Sequence, residues 1–180
     1  KRHGAESVFS VFLAADLPPD HFGGRASAHV FHTPDRRGLG AIHTDELTAL
    51  LGRRGALPKD EVLEWLGRFC RYNTFEISIP ALRDGDAAPA GKTGLIISAL
   101  FDYALSERIR AEGWHDELKR HVEKAFIETI SGSLYPGLAD KVLFSFSASP
   151  SSIRERVGSS EGSIVGWSFE EEVPVTTSMF

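Results

Sequence analysis

Gly91-Lys92-Thr93 places a glycine, an ammonium and a hydroxyl in the order in which a phosphate-binding loop presents them. In such a loop four residues separate an earlier glycine from the Gly-Lys-Ser/Thr, and a helix follows whose first N–H groups hold the phosphate. Here five residues lie between Gly85 and Gly91, Pro89 among them, and the chain continues Leu95-Ile96-Ile97-Ser98-Ala99-Leu100-Phe101. A short, unbroken apolar run with β-branched residues reads as a buried strand. The spacing therefore predicts a turn between two strands, and it argues against ATP or GTP at this place.

The other reactive side chains fare similarly. Gly158-Ser159-Ser160-Glu161-Gly162 matches the G-x-S-x-G of a nucleophile elbow. That elbow requires a strand before the serine, a helix after it, and a histidine later in the chain. The order of elements here is reversed and the last histidine is His121, so a glycine-rich turn is expected. His29 and His32 are an odd number of residues apart, which in a strand sends them to opposite faces and prevents joint metal ligation. Cys70 is the sole cysteine, beside Phe69 on the apolar side of a helix, and is expected to be a buried structural thiol. Glu107-Arg108-Ile109-Arg110 and Lys119-Arg120-His121 read as solvated helix faces. Gly38-Leu39-Gly40 lacks the third glycine of a dinucleotide fingerprint. No metal site, acid, base or nucleophile is assigned.

Composition narrows the class. The chain has 180 residues, enough for one domain with a single sizeable core, and 42% hydrophobic with 25% charged residues is an ordinary globular balance. A formal charge of -5 without any Lys/Arg cluster argues against nucleic acid as partner. A single cysteine forms no internal disulfide, and a reducing, cytoplasmic compartment is the simplest reading. The chain opens Lys1-Arg2-His3, and its one methionine is Met179. That reads as a domain cut from a longer protein, or as a trimmed terminus.

The elements that must position any site follow from periodicity. Strands are expected over Ser7–Ala14, Ala28–His32, Phe75–Ile79, Leu95–Phe101 and from Val142 to about Ser147, with a last candidate over Ile164–Phe169. Helices are expected over Asp45–Arg53, from Pro58 through Phe69, from about Asp116 to Ser131, and from a cap at Ser149 or Ser151 to Val157. In the long helix Leu118, Val122, Ala125, Phe126, Thr129 and Ile130 form one stripe. Strands mixed with helices without regular βαβ alternation predict an α+β fold: a mixed, largely antiparallel sheet with helices packed on one face. Around Val142–Ser147, Phe144 and Phe146 lie on one side and Ser145 and Ser147 on the other. Alternation alone does not say which side meets the long helix.

Three segments, read in order, resemble the phytoene desaturase, carotenoid isomerase and retinol saturase group of FAD-dependent oxidoreductases. Ser78-Ile79-Pro80, Asp84 and Ala88-Pro89-Ala90-Gly91-Lys92 are similar to that group's Ser-x-Pro, Asp and Ala-Pro-x-Gly-Lys leading into an apolar strand. Phe146 to Pro150 resembles its strand running into Ser-Pro before a short helix, and Gly158, Glu161-Gly162 and Gly166-Trp167 resemble the glycine-rich segment before its C-terminal flavin-binding return. The group's dinucleotide fingerprint and its C-terminal flavin-contacting segment are missing from residues 1–180. The resemblance thus implies a single substrate-binding domain whose FAD-binding domain lies outside this chain. It implies an apolar small-molecule substrate, a polyene or isoprenoid, undergoing desaturation, saturation or isomerisation by flavin hydride chemistry. The flavin-facing residues it implies are Gly162, Gly166 and Trp167; the substrate-lining ones are Phe144, Phe146 and Ser145. FAD is expected in the parent enzyme and not on this chain alone. Peripheral membrane contact is known in the group, although no strongly amphipathic basic helix is evident here. The competing expectation is a non-catalytic lipid- or isoprenoid-binding module of the same fold.

Overall fold

The computed structural model describes residues 6–38 and 40–166. Five strands, β1 (Val8–Ala15), β2 (His29–His32), β3 (Phe75–Ser78), β4 (Thr93–Leu100) and β5 (Val142–Ala148), form one sheet in the order β2-β3-β4-β1-β5. Every neighbouring pair is antiparallel. The helices are α1 (Asp20–Gly23), α2 (Gly40–Leu51), α3 (Lys59–Tyr72), α4 (Tyr103–Ala111), α5 (His115–Ser133) and α6 (Pro150–Val157). The fold is α+β, as the mixed periodicities predict, with an antiparallel sheet throughout.

Side-chain alternation divides each strand between two surroundings. Phe9, Val11 and Leu13 of β1, Phe75 and Ile77 of β3, and Leu95, Ile97 and Ala99 of β4 share the helix-covered face, all buried. Onto them α5 lays Leu118, Val122, Phe126 and Ile130, while α3 contributes Val62, Trp65, Leu66 and Phe69. Edge-on aromatic contacts knit the layers: Phe126 meets Phe75 at 4.9 Å and Phe9 at 6.1 Å, and Phe101 meets Phe69 at 5.5 Å. Such pairs contribute about 0.5–1.5 kcal/mol each beyond their area burial.

Capping explains several boundaries. Ser149 is the N-cap of α6, its hydroxyl accepting from the Ser152 N–H at 3.2 Å, and Pro150 occupies the first turn, where its missing N–H is harmless. Gly158, at φ 75°, closes that helix in the left-handed conformation. Asp102 caps α4 through the Leu105 N–H at 2.7 Å. The sequence reading gave α4 only as a charged face, yet Leu105, Ser106 and Ile109 are buried. A nine-residue helix with one apolar turn carries too few repeats to announce itself. The helix expected from Asp45 begins at Gly40. Ile164–Gly166 is a bend and not the start of a strand, and the rest of that candidate, including Trp167, lies outside the described residues.

Candidate functional site

The sheet face away from the helices carries the most unusual surface. Cross-strand register places Phe31, Glu76, Ser98, Ser10 and Ala148 in one row, His29, Ser78, Ile96, Phe12 and Phe146 in the next, and Gly94, Ala14 and Phe144 in a third. Large apolar side chains stand open on it: Phe31 is 68% exposed, Phe144 60% and Phe146 56%. Phe12 and Phe146 stack with centroids 5.0 Å apart and planes at 11°. At the sheet centre the Ser10 and Ser98 hydroxyls bond to each other at 2.8 Å. On the β2–β3 side His29 Nε2 lies 3.0 Å from Glu76 Oε1. The His29 ring is 5.6 Å from Phe31.

Strand β5 thus inverts the usual pattern. Its phenylalanines face outward, while its serines face α5, where Ser145 and Ser147 donate to the two oxygens of Glu123 at 3.1 and 2.6 Å. Phe144 and Phe146 therefore share the open face, and Ser145 lies behind the sheet. The substrate-lining trio of the sequence reading does not converge: period-two alternation separates Ser145 from its neighbours, and Glu123 engages its hydroxyl. His29 and His32 do lie on opposite faces, His32 Nε2 meeting Ser133 Oγ of α5 at 2.9 Å.

The two glycines expected to face the flavin, Gly162 and Gly166, have different surroundings. Gly162 is buried with φ 64°, and a Cβ there would run into the Pro150 carbonyl oxygen and come within 3.0 Å of Ser7 Oγ. Its own carbonyl accepts from the Ser7 hydroxyl at 2.7 Å. The direction in which a side chain would leave Gly162 is filled by Pro150 and Ser7, so packing within this chain by itself requires glycine there. Gly166 is exposed with open space around its α-carbon, and its carbonyl accepts from Ser163 Oγ at 2.6 Å. The Gly158–Gly162 segment is a helix cap running into a short 3-10 turn, with neither the strand nor the helix of a nucleophile elbow around Ser160.

At the first motif, Gly91 takes φ 74° in the turn that leads into β4. Lys92 Nζ donates to Asp16 Oδ1 at 2.8 Å, and this hydrogen bond holds the Asp16 carboxyl below its ordinary range. Thr93 Oγ1 donates to the Leu17 carbonyl at 2.8 Å. Both side chains tie the turn to the end of β1. Cys70 is buried, and desolvation pushes its thiol up to about 12, which removes it as a nucleophile.

Two polar constellations escaped the sequence reading. Arg108, taken for a solvated side chain, donates from Nη1 to the carbonyls of Leu50 and Leu51 and from Nη2 to those of Arg53 and Gly55. It satisfies the carbonyl end of α2 and the loop after it. Glu112, one turn on, accepts from the Leu57 N–H at 3.0 Å and the Trp114 indole N–H at 3.2 Å. The second is His115 Nε2 against Ser149 Oγ at 2.9 Å, with Ser149 fully buried. Desolvation lowers the His115 pKa, with Lys119 adding to it. A hydroxyl–imidazole pair is nucleophile chemistry in an open cleft; here the hydroxyl is inaccessible and engaged in capping α6. No local motif marks either constellation, because apart from the Glu112–Trp114 bond the partners are 34 to 58 residues apart.

Among the described residues, no group of three or more His, Cys, Asp or Glu is placed to hold a metal ion. Among them, too, no helix is long and apolar enough to cross a membrane. No protein-family model matches the chain, and no curated protein matches it.

Proposed function

We propose that the chain is the substrate-binding domain of an FAD-dependent oxidoreductase of the phytoene desaturase, carotenoid isomerase and retinol saturase group, and that its open sheet face is the wall against which a long apolar substrate lies. The observation that carries this reading is the inversion in β5: Phe144 and Phe146 stand in solvent while Ser145 and Ser147 are turned toward α5. An exposed apolar patch of this kind marks a surface that something covers. Removing one phenylalanine side chain from water contributes about 1.5–3 kcal/mol, so a ligand covering several gains useful affinity without any charge. The motif resemblance from Ser78 to Lys92 supplies the class of that ligand.

In this reading the flavin, held by a domain outside the chain, supplies the hydride chemistry when bound. The residues of this chain bind and orient: Phe12 and Phe146 offer a mutually stacked aromatic pair, Gly94 and Ala14 leave room beside Phe144, and the sheet excludes water from one side of the substrate. In this reading the parent enzyme works in the cytoplasm or at a membrane periphery. The second reading is a lipid- or isoprenoid-binding module of the same fold without flavin, in which the open face holds the ligand and Gly162 serves packing alone.

The test uses the protein encoded by the complete reading frame containing this chain. A flavin-absorbing protein with a G-x-G-x-x-G strand–turn–helix upstream is expected, in which the Phe144→Ser, Phe146→Ser double variant keeps its flavin and loses turnover of a polyene substrate. A colourless protein that still binds geranylgeraniol on the open face would transfer the function to the second reading. Turnover unchanged in the double variant would end the assignment of the face.

A further inference from the structure

Helix α6 is fastened mainly by polar atoms. Of its eight residues only Pro150 and Ser151 are buried, and Val157 stands in solvent. Its moorings are the Ser106–Ser151 hydroxyl pair at 2.8 Å, the pairs of Glu155 with Arg110 and of Arg154 with Glu107 and the Tyr103 hydroxyl, and the contact of Ser149 with His115 Nε2 at 2.9 Å. The hydrophobic core takes no residue from 149–163, so this segment opens without unpacking it. We propose that the His115–Ser149 contact is an acid-sensitive latch: the neutral imidazole keeps α6 closed against α4 and α5, and protonation of His115 releases residues 149–163 while the sheet and α5 stay folded. The latch does not depend on what the open face holds.

Two helix N-termini meet at this ring. His115 is the first residue of α5, and its Nε2 reaches the N-cap of α6. Each N-terminus carries the partial positive charge of unpaired N–H groups, so an imidazolium between them is opposed twice. Ser149 Oγ already accepts from the Ser152 N–H at 3.2 Å, which suits a ring that accepts at Nε2 and carries its hydrogen on Nδ1. Protonation makes Nε2 a donor, and the Ser149 hydroxyl then turns its proton to Ser152 Oγ, 3.0 Å away. The hydrogen bonds survive that exchange; the added charge, beside a fully buried hydroxyl, is what the closed form resists.

The surrounding charges nearly cancel. Lys119 of α5 and Arg110 of α4 repel a proton on His115, while Asp116 of α5 and Glu107 of α4 attract one. The α6 charges Arg154 and Glu155 are engaged with α4, and β5 carries no charged residue. Burial then decides, with Lys119 next, and the closed form holds His115 below its ordinary 6.5. Opening gives the ring to water and removes the α6 terminus, so the open form binds the proton more readily. The latch therefore holds fully above pH 6.5 and weakens as the pH falls below that value toward the lowered one.

The experiment compares amide hydrogen exchange of the whole chain at about pH 7.5 and about pH 5.5, each rate corrected for the intrinsic effect of pH. Protection of residues 149–163 is expected to fall about three- to tenfold on acidification, the ceiling being the roughly tenfold protonation of an ordinary imidazole one unit below its pKa. Protection in β4 and α5 should change by less than about twofold. His115→Gln, neutral at both pH values and able to bond Ser149, should remove the fall, and Lys119→Gln should lessen it. In the unsubstituted chain the His115 ring, followed by NMR, should titrate below 6.5. Unchanged protection of residues 149–163, an equal fall in α5, a fall that survives His115→Gln, or a His115 ring titrating at or above 6.5 would each overturn the latch.

Discussion

Replacing Arg108 by alanine removes a guanidinium that holds four backbone carbonyls: Leu50 at 3.2 Å, Leu51 at 2.9 Å, Arg53 at 2.8 Å and Gly55 at 2.7 Å. Its side chain is only 21% exposed, so water screens these contacts incompletely. A hydrogen bond involving a charged group contributes about 1.5–3 kcal/mol net, but the four are not additive, because carbonyls in a surface turn are rehydrated once the side chain is gone. The expected loss is therefore about 2–3 kcal/mol, and for a chain of this size that lowers Tm by about 5–10 °C. Urea unfolding followed by circular dichroism should show a lower midpoint with an unchanged slope. Amide exchange should quicken in α2 and the following loop before it does in α5. Arg108→Lys should recover only part of the loss, since an ammonium is a point donor and cannot span two pairs of carbonyls. A loss below about 0.5 kcal/mol, or full rescue by lysine, would refute the view of Arg108 as the cap that closes α2.

Gly162→Ala should destabilise the chain by about 3 kcal/mol or more, because it adds left-handed strain for a side chain and a collision with the Pro150 carbonyl. Thermal melting checks it; an unchanged Tm would refute the packing constraint at Gly162. Cys70 should resist iodoacetamide at pH 8 in the native chain and react fully in denaturant, as mass spectrometry would show; rapid native labelling would contradict its burial. Its thiol is raised from an ordinary 9.0 to about 12, so the unfolded chain ionises first. Its contribution to stability is complete below pH 9.0 and is lost as the pH rises toward 12, a decline that Cys70→Ala should lessen in alkaline melts.

Much of the scaffold is written locally. The alternation of Phe75–Ser78, the apolar run from Leu95, the Ser149-Pro150 cap and the stripe of α5 each depend on neighbours within a turn or a strand, and each appears where periodicity puts it. The Pro89–Lys92 turn is equally local, and its first resemblance to a phosphate cradle dissolves once Thr93 is seen to open a strand. Other features depend on distant partners. Glu112 and Arg108 acquire their meaning from the α2–α3 loop, more than 50 residues earlier, and Gly162 is required by Ser7 and Pro150.

The candidate site sits on the boundary between these two kinds of information. By itself the sequence determined that β5 has an aromatic side and a hydroxyl side, because side chains in a strand must alternate. Only the tertiary structure decided which side is open. Pairing with β1 sets Ser145 opposite Leu13 and Ser147 opposite Val11, on the face that α5 covers, and Glu123 of that helix supplies acceptors for both hydroxyls. A buried serine without a partner is costly, and one carboxylate removes that cost for two of them. With the serines satisfied against the helix, the phenylalanines are left to solvent, and to whatever the face is built to hold.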